Sequence, residues 1–265
     1  MNLPIVTLTT DWGTSDFFVG KFKGKLFSQL PDVRIVDITH EIPAFNKKSA
    51  YFVVKSACMD YPEGTIHIID VNSSDTADTP TVVVKYKGQF FICVDDGLPC
   101  ALFGKEVEDA VVVDKVYWDS DFSTFSALDY FCKVAVMLAN GTPLSEIGYP
   151  VEEFSKWLPI ERVDQADGVL LYVSYIDIYG NADLSMKYSD FVHLLAGRGF
   201  KMQVHDFELR KICSGYGSLG NGNSLMLTVS SSGYLQLAVN EGSAAQMFGL
   251  RVDELVRVTF FSSDK

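Results

Sequence analysis

Positive charge is scarce in this 265-residue sequence: 22 lysines and arginines stand against 34 aspartates and glutamates, for a formal net charge of -12. Non-specific binding to nucleic acid draws on clustered Lys and Arg that neutralise phosphates, so that class of function is excluded. Long apolar runs are also missing, and nothing approaches the roughly 18 residues that a membrane span needs. Met1 leads into the strand-like IVTLTT within four residues, with neither a basic n-region nor a cleavable apolar segment. The five cysteines (Cys58, Cys93, Cys100, Cys132, Cys213) show no CxxC spacing, which points to neither a zinc site nor a disulfide framework. Reduced thiols and the missing leader make a cytoplasmic protein the expectation. Histidine is rare too: four in all, His40, His67, His193 and His205, none in a Ser-His-Asp or Cys-His arrangement.

What is present is an ordinary globular balance, 48% hydrophobic and 21% charged, in a chain long enough for two domains. From residue 5 to about 140, β-branched runs alternate with helical periodicity. IVTLTTD (5–11), RIVDITH (34–40) and TIHIIDV (65–71) read as strands. Val19, Phe22, Leu26 and Leu30 mark one helix face, Ala50, Val53, Val54 and Ala57 another, and a further helix spans about 127–139. Residues 81–96 read as a hairpin turning at Lys87 and Gly88, and AVVVD (110–114) as another strand. The alternation implies an α/β domain with a largely parallel sheet, over residues 1–155. Tyr149–Pro159 looks like a linker, and the texture after it changes to short strands, GVLLYVSYID (168–177), SLMLTV (224–229), GYLQLAV (233–239) and ELVRVTFF (254–261). With little helix between them, residues 156–265 are expected to form a small β-barrel or sandwich.

Ligands of open α/β sheets bind beyond the carboxyl ends of the strands. That directs attention to Asp11, to His40–Phe45 and to Asp70–Asp78. Asp11 in TTDWGTSD can accept two hydrogen bonds at once, which suits the cis-diol of a ribose; it equally suits a turn-stabilising Asx residue. Asp16 is placed to cap the following helix. Gly215, Gly217 and Gly220 spell GxGxxG, but the run that follows, NGNSLMLTV, reads as a strand where a dinucleotide site needs a helix, so it is taken as a glycine-rich turn.

Eight segments in order, TLTTDWGTSDFFVGKFKG, RIVDITHEIPAF, EGTIHIIDV, DDGL (95–98), STF (123–125), LANGTPLSEIG (138–148), DIYGN (177–181) and SSGYLQLAVNEGSA (231–244), resemble the S-adenosylmethionine (SAM) hydroxide adenosyltransferases, relatives of the fluorinase and chlorinase. The resemblance implies a three-layer α/β N-terminal domain and a C-terminal β-barrel. It also implies a homotrimer that binds SAM between the N-domain of one subunit and the C-domain of its neighbour, with SAM as substrate and no cofactor or metal. By residue, it puts Asp11 on the ribose diol and Phe45 and Phe125 against the ligand. Ser73 becomes a further substrate contact, Asp177 meets the methionine amine, Asn181 reads adenine and Ser231 meets the methionine carboxylate.

The family reaction is attack of water on ribose C5′, releasing adenosine and methionine, for which members are thought to use an Asp, an Arg and a His. Asp70 matches the aspartate. Ala77 stands where the arginine is expected and Ser126 where the histidine is, and VNSSDTA replaces a glycine-rich stretch. Ser126 to Asp129 also has the form of a capping box for the next helix. Two readings stay open: a hydrolase with a pared-down site in which Asp70 and Ser126 orient the water, and a non-catalytic protein that binds SAM or adenosine. A halide adenosyltransferase fits worse, because a carboxylate at position 70 repels an incoming halide.

Overall fold

The computed structural model describes residues 3–114, 124–219 and 224–262. The chain divides into two units, Met1–Pro159 and Ile160–Lys265. In the first, the elements run β1 (Ile5–Thr10), α1 (Phe18–Gln29), β2 (Arg34–Thr39), α2 (Lys47–Ala57), β3 (Ile66–Asp70), β4 (Thr81–Tyr86), β5 (Gln89–Val94), α3 (Leu98–Phe103), β6 (Asp109–Val113), α4 (Cys132–Ala139), α5 (Leu144–Ile147) and β7 (Gly148–Pro150). A π-helical turn, Ala127–Phe131, precedes α4.

The strands form a sheet in the order β2-β1-β3-β5-β4-β6-β7. It is mixed rather than largely parallel: β2, β1, β3 and β5 are parallel neighbours, while β4, β6 and β7 pair antiparallel. The tight turn at Lys87 and Gly88, both with positive φ, makes β4 and β5 a hairpin and so forces the reversal. Alternate residues feed two cores, as the pleat requires. Val6, Leu8, Ile66, Ile68, Val83 and Ile92 pack with Phe22 and Leu26 of α1 and Val134 of α4. Val82, Val84, Phe91 and Cys93 pack with Ala50 and Val54 of α2 and Leu98 and Leu102 of α3. Strands buried on both faces read as continuous apolar runs, which is why they are visible in the sequence.

The linker-like stretch is tied down. β7 pairs with β6, Val151, Phe154 and Trp157 pack against the second core, and Ser155 donates its N–H to Asp95 at 2.9 Å. Asp16 caps nothing: α1 begins at Phe18 with Phe17 as its N-cap, one residue too late for Asp16 to serve.

In the second unit, β8 (Arg162–Gln165), β9 (Gly168–Ile176), β10 (Ala182–Lys187), α6 (Tyr188–Leu195), β11 (Gly199–Val204), β12 (Phe207–Leu209), β13 (Met226–Val229), β14 (Tyr234–Ala238), α7 (Ala244–Phe248) and β15 (Leu255–Phe261) follow. Their sheet is antiparallel, in the order β12-β11-β15-β9-β10-β14-β13, with β8 beside β9. Ile212, shortly after β12, bridges Leu227 of β13 and nearly closes the path into a barrel. Helix α6 was not expected; Phe191, fully buried against Phe200, holds it to the sheet. Of the GxGxxG residues, Gly215 sits in a bend and Gly217 in a 3-10 turn, Tyr216–Leu219, that leads to β13 and not to a helix. Gly220 lies outside the described residues.

Candidate functional site

The chain passes from β1 outward to β2, then returns to β3 on the other side of β1, so the connections after β1 and β3 diverge at their carboxyl ends. Divergence of this kind opens the crevice in which α/β sheets bind ligands. Thr10 and Asp70 are partners at that edge of the β1–β3 ladder, and Asp11 N–H donates to the Asp70 carbonyl at 3.4 Å.

Asp11 ties three loops together. Its Oδ2 accepts the backbone N–H of Phe45 at 2.9 Å and of Asn72 at 3.4 Å. Both partners have positive φ, 64° and 51°. Such backbone is costly for residues other than glycine, above all for a bulky one, and is retained where surrounding structure or function requires it. Phe45 is also 73% exposed, an aromatic ring strained into place and left uncovered. The loop that carries it is pinned at its end by Asn46, whose side chain accepts the Ser49 N–H at 3.0 Å and caps α2.

Asp70 is the buried acid of the site, 3% exposed. Its Oδ2 accepts the indole N–H of Trp12 at 2.6 Å. Its Oδ1 is buried without a hydrogen bond of good geometry. Burial pushes the carboxyl up to about 7; the Ser73 hydroxyl and the Trp12 indole pull it down and the charge of Asp11 raises it. Ser73 continues the chain of contacts through its carbonyl, which accepts the Ser126 hydroxyl at 2.6 Å, and Ser126 Oγ accepts from Tyr130 at 2.8 Å.

The capping-box reading of Ser126 therefore fails. Its backbone is already helical (φ -53°, ψ -42°), whereas a capping residue needs an extended backbone, and its side chain makes no cap bond. It is followed by the π-helical turn, a feature frequent at functional sites. Phe125, half-buried, meets Trp12 edge-on at 4.9 Å and Phe18 at 5.1 Å. Ser123, of the STF segment, lies outside the described residues. His40 is structural: it is 4% exposed, bonded to Thr10 Oγ1 at 2.7 Å, and held below the usual histidine range by burial, which outweighs the raising effect of Asp37.

In the second unit, Asp177 and Asn181 close the loop between β9 and β10. Asp177 Oδ1 accepts the N–H of Tyr179 and of Asn181, and Oδ2 the Asn181 side-chain amide, each at 2.9 Å. This arrangement presents Ile178, 95% exposed, and Tyr179, 76% exposed. Ser231 sits in the exposed turn between β13 and β14. Sequence reasoning missed three neighbours there. Asp183 is buried and its carboxyl is raised to about 6, by burial first, with Ser230 and Gln236 lowering it and Asp177 raising it. Gln236 donates to Asp183 at 3.3 Å and accepts the Tyr216 hydroxyl at 2.8 Å. The signal was a polar residue at an inward position of ADLSMK and of YLQLA. Trp12 was likewise missed as a partner of Asp70, although it adjoins Asp11.

An α/β unit with acidic and aromatic side chains gathered at the diverging carboxyl ends of two parallel strands, followed by a barrel-like unit, defines a class of small-ligand-binding proteins. Residues 6–148 match the SAM hydroxide adenosyltransferase N-terminal domain and 171–257 the C-terminal domain, and the chain belongs to this family. It is 30% identical to the (R)-S-adenosyl-L-methionine hydrolase of Salinispora tropica, over 97% of this chain and 98% of the relative. It is 26% identical to the enzyme of that name from Methanocaldococcus jannaschii, over 96% and 94%. The fluorinase of Actinopolyspora mzabensis is 25% identical, over 97% of each. A solved structure of a conserved protein from Thermotoga maritima superposes with a TM-score of 0.84 at 25% identity, over 96% of this chain and 99% of that one. Among the described residues there is no cluster that could hold a metal ion, and no helix long and apolar enough to cross a membrane.

Proposed function

We propose that this chain binds SAM as substrate and hydrolyses it to adenosine and L-methionine. The observation that carries the reading is Asp70, a buried carboxyl whose Oδ1 has no good hydrogen bond, beside Asp11 at the β1–β3 crevice. A water oxygen attacks ribose C5′ as the C5′–S bond breaks, the sulfonium leaves with the bonding pair as neutral methionine thioether, and the water proton passes to Asp70. A carboxyl near 7 is matched to accept that proton at neutral pH. Ser126, whose hydroxyl hydrogen is committed to Ser73, keeps a lone pair with which to orient the water.

Asp11 has acceptor capacity beyond its two backbone bonds for a ribose diol. Phe45 and Phe125 cover the ligand, Ser73 lines it, Asp177 meets the amine, Asn181 the adenine and Ser231 the carboxylate. We further propose a cytoplasmic homotrimer with sites at its subunit interfaces, built from a three-layer α/β domain (1–155) and a β-barrel domain (156–265).

A second reading, a protein that binds SAM or adenosine without turnover, is favoured by Ala77 and by the engagement of Ser126 with Ser73 and Tyr130. Loss of a positioning or proton-transfer group costs about 10²-fold to 10⁴-fold. Incubating the purified protein with SAM and following products by chromatography separates the two. Adenosine and methionine in equal amounts support hydrolysis, saturable binding without product supports the second reading, and the absence of both overturns each.

A further inference from the structure

We propose that Trp12 is a positioning residue for this reaction, its indole N–H holding the Asp70 carboxylate in the role left open by Ala77 and Ser126. The inference rests on the hydrolase reading above for its purpose, but its physical content, a Trp12–Asp70 couple, can be tested without turnover.

The geometry is restrictive. The indole N–H is the only donor of the tryptophan side chain, and it is spent on Asp70 Oδ2 at 2.6 Å, a short bond for an N–H donor. The ring is fixed on three sides: it stacks on His40 at 5.7 Å and 16°, meets Phe125 edge-on at 4.9 Å and leans on Phe22 at 5.4 Å. Asp70 is thus gripped by one oxygen while Oδ1 is left without a good partner in a buried place. Because Trp12 directly follows Asp11, one short loop after β1 aims both carboxylates of the site.

The sign of its effect follows. An N–H donated to the ionised carboxylate favours that form, so Trp12 lowers the proton affinity of Asp70 against the burial that raises it. The other groups facing Asp70 are Asp11, which raises it, and Ser73, which lowers it. Behind the indole stands His40, whose proton affinity burial lowers and Asp37 raises, with Asp37 in turn paired to Lys23.

Two measurements test this. In the unsubstituted protein, the Trp12 indole proton and nitrogen signals, assigned by their loss in Trp12→Phe, are expected to titrate with a midpoint near that of Asp70 and to stop doing so in Asp70→Asn. Trp12→Phe keeps the ring contacts and removes the donor. The acid limb of its profile for adenosine formation is expected to move up by about one pH unit, with about a tenfold loss of rate below the limb and near-normal rate well above it. An indole signal that does not respond to pH or to Asp70→Asn, or a Trp12→Phe profile scaled down with its midpoint unmoved, overturns the proposal. If no adenosine forms at all, the hydrolase reading fails by itself, and the indole titration still decides whether Trp12 and Asp70 are coupled.

Discussion

Two aspartates do different work a few ångströms from one sheet edge. Asp11 binds two strained backbone positions, Phe45 and Asn72, through Oδ2. Its replacement by Ala is expected to release the loops after β2 and β3 and to remove the ribose contact. Calorimetry should show SAM affinity falling by about tenfold or more, since hydrogen bonds to charged groups contribute about 1.5–3 kcal/mol; equal affinity would remove Asp11 from the site. Asp70 is raised by burial to about 7 from an ordinary 3.8, so its ionisation disfavours the folded state. The stability that it contributes is full below about pH 4 and is lost as pH rises through about 7. Thermal stability is therefore expected to fall between about pH 4 and pH 7 in the unsubstituted protein relative to Asp70→Asn. Parallel curves for the two proteins would contradict the assignment. The position of Asp11 was readable from its place after an apolar run. What its carboxylate holds was not, because Phe45 and Asn72 are brought to it only by the pairing of β1 with β2 and β3.

Between the strands, the segments that carry the acid differ in how far the local pattern reveals them. β1, β3 and α1 are legible because burial on both faces, or on one helical stripe, leaves an apolar period in the sequence. The π-helical turn after Ser126 has no such signature: its residues look like the start of α4, and the serine looks like a cap. A tertiary bond to the Ser73 carbonyl, with a local one from Tyr130 inside the turn, decides the outcome. Ser126→Ala should take the hydroxyl donor away from the buried side of the Ser73 carbonyl and cost about 1–3 kcal/mol in denaturant unfolding. A loss within error of zero would mean that the turn stands without this bond. The same contacts bear on repair of the missing groups. Ala77 is exposed and can accept an arginine, but Ser126 is buried, and a histidine there must displace two hydrogen bonds. Ala77→Arg with Ser126→His is expected to raise adenosine formation where either alone does little, since groups that act as a unit are strongly non-additive. A double variant that still binds SAM but gains no rate would show that the loop from Asn72 to Asp78 does not aim the arginine.

Over the whole molecule, the mixed sheet and the antiparallel barrel-like unit follow from where hairpins are possible. The Lys87–Gly88 turn was legible and already implied a reversed strand, while α6, β11 and β12 were hidden by polar, partly exposed faces and β10 by the polar residues Asp183 and Ser185 that interrupt its apolar run. The chain of bonds from Tyr216 to Gln236 to Asp183 was illegible for a different reason, since it joins residues far apart in sequence. Light scattering at micromolar concentration is expected to give a trimeric mass, and a monomer would sink the shared-site proposal. The most direct test of the account is hydrolysis of SAM in water enriched in a heavy oxygen isotope, with Asp70→Asn alongside. Attack of water at C5′ requires adenosine that carries the heavy oxygen at its 5′ hydroxyl, methionine that carries none, and a rate that falls steeply in the variant. Unlabelled adenosine, or labelled adenosine formed equally fast by Asp70→Asn, would contradict it.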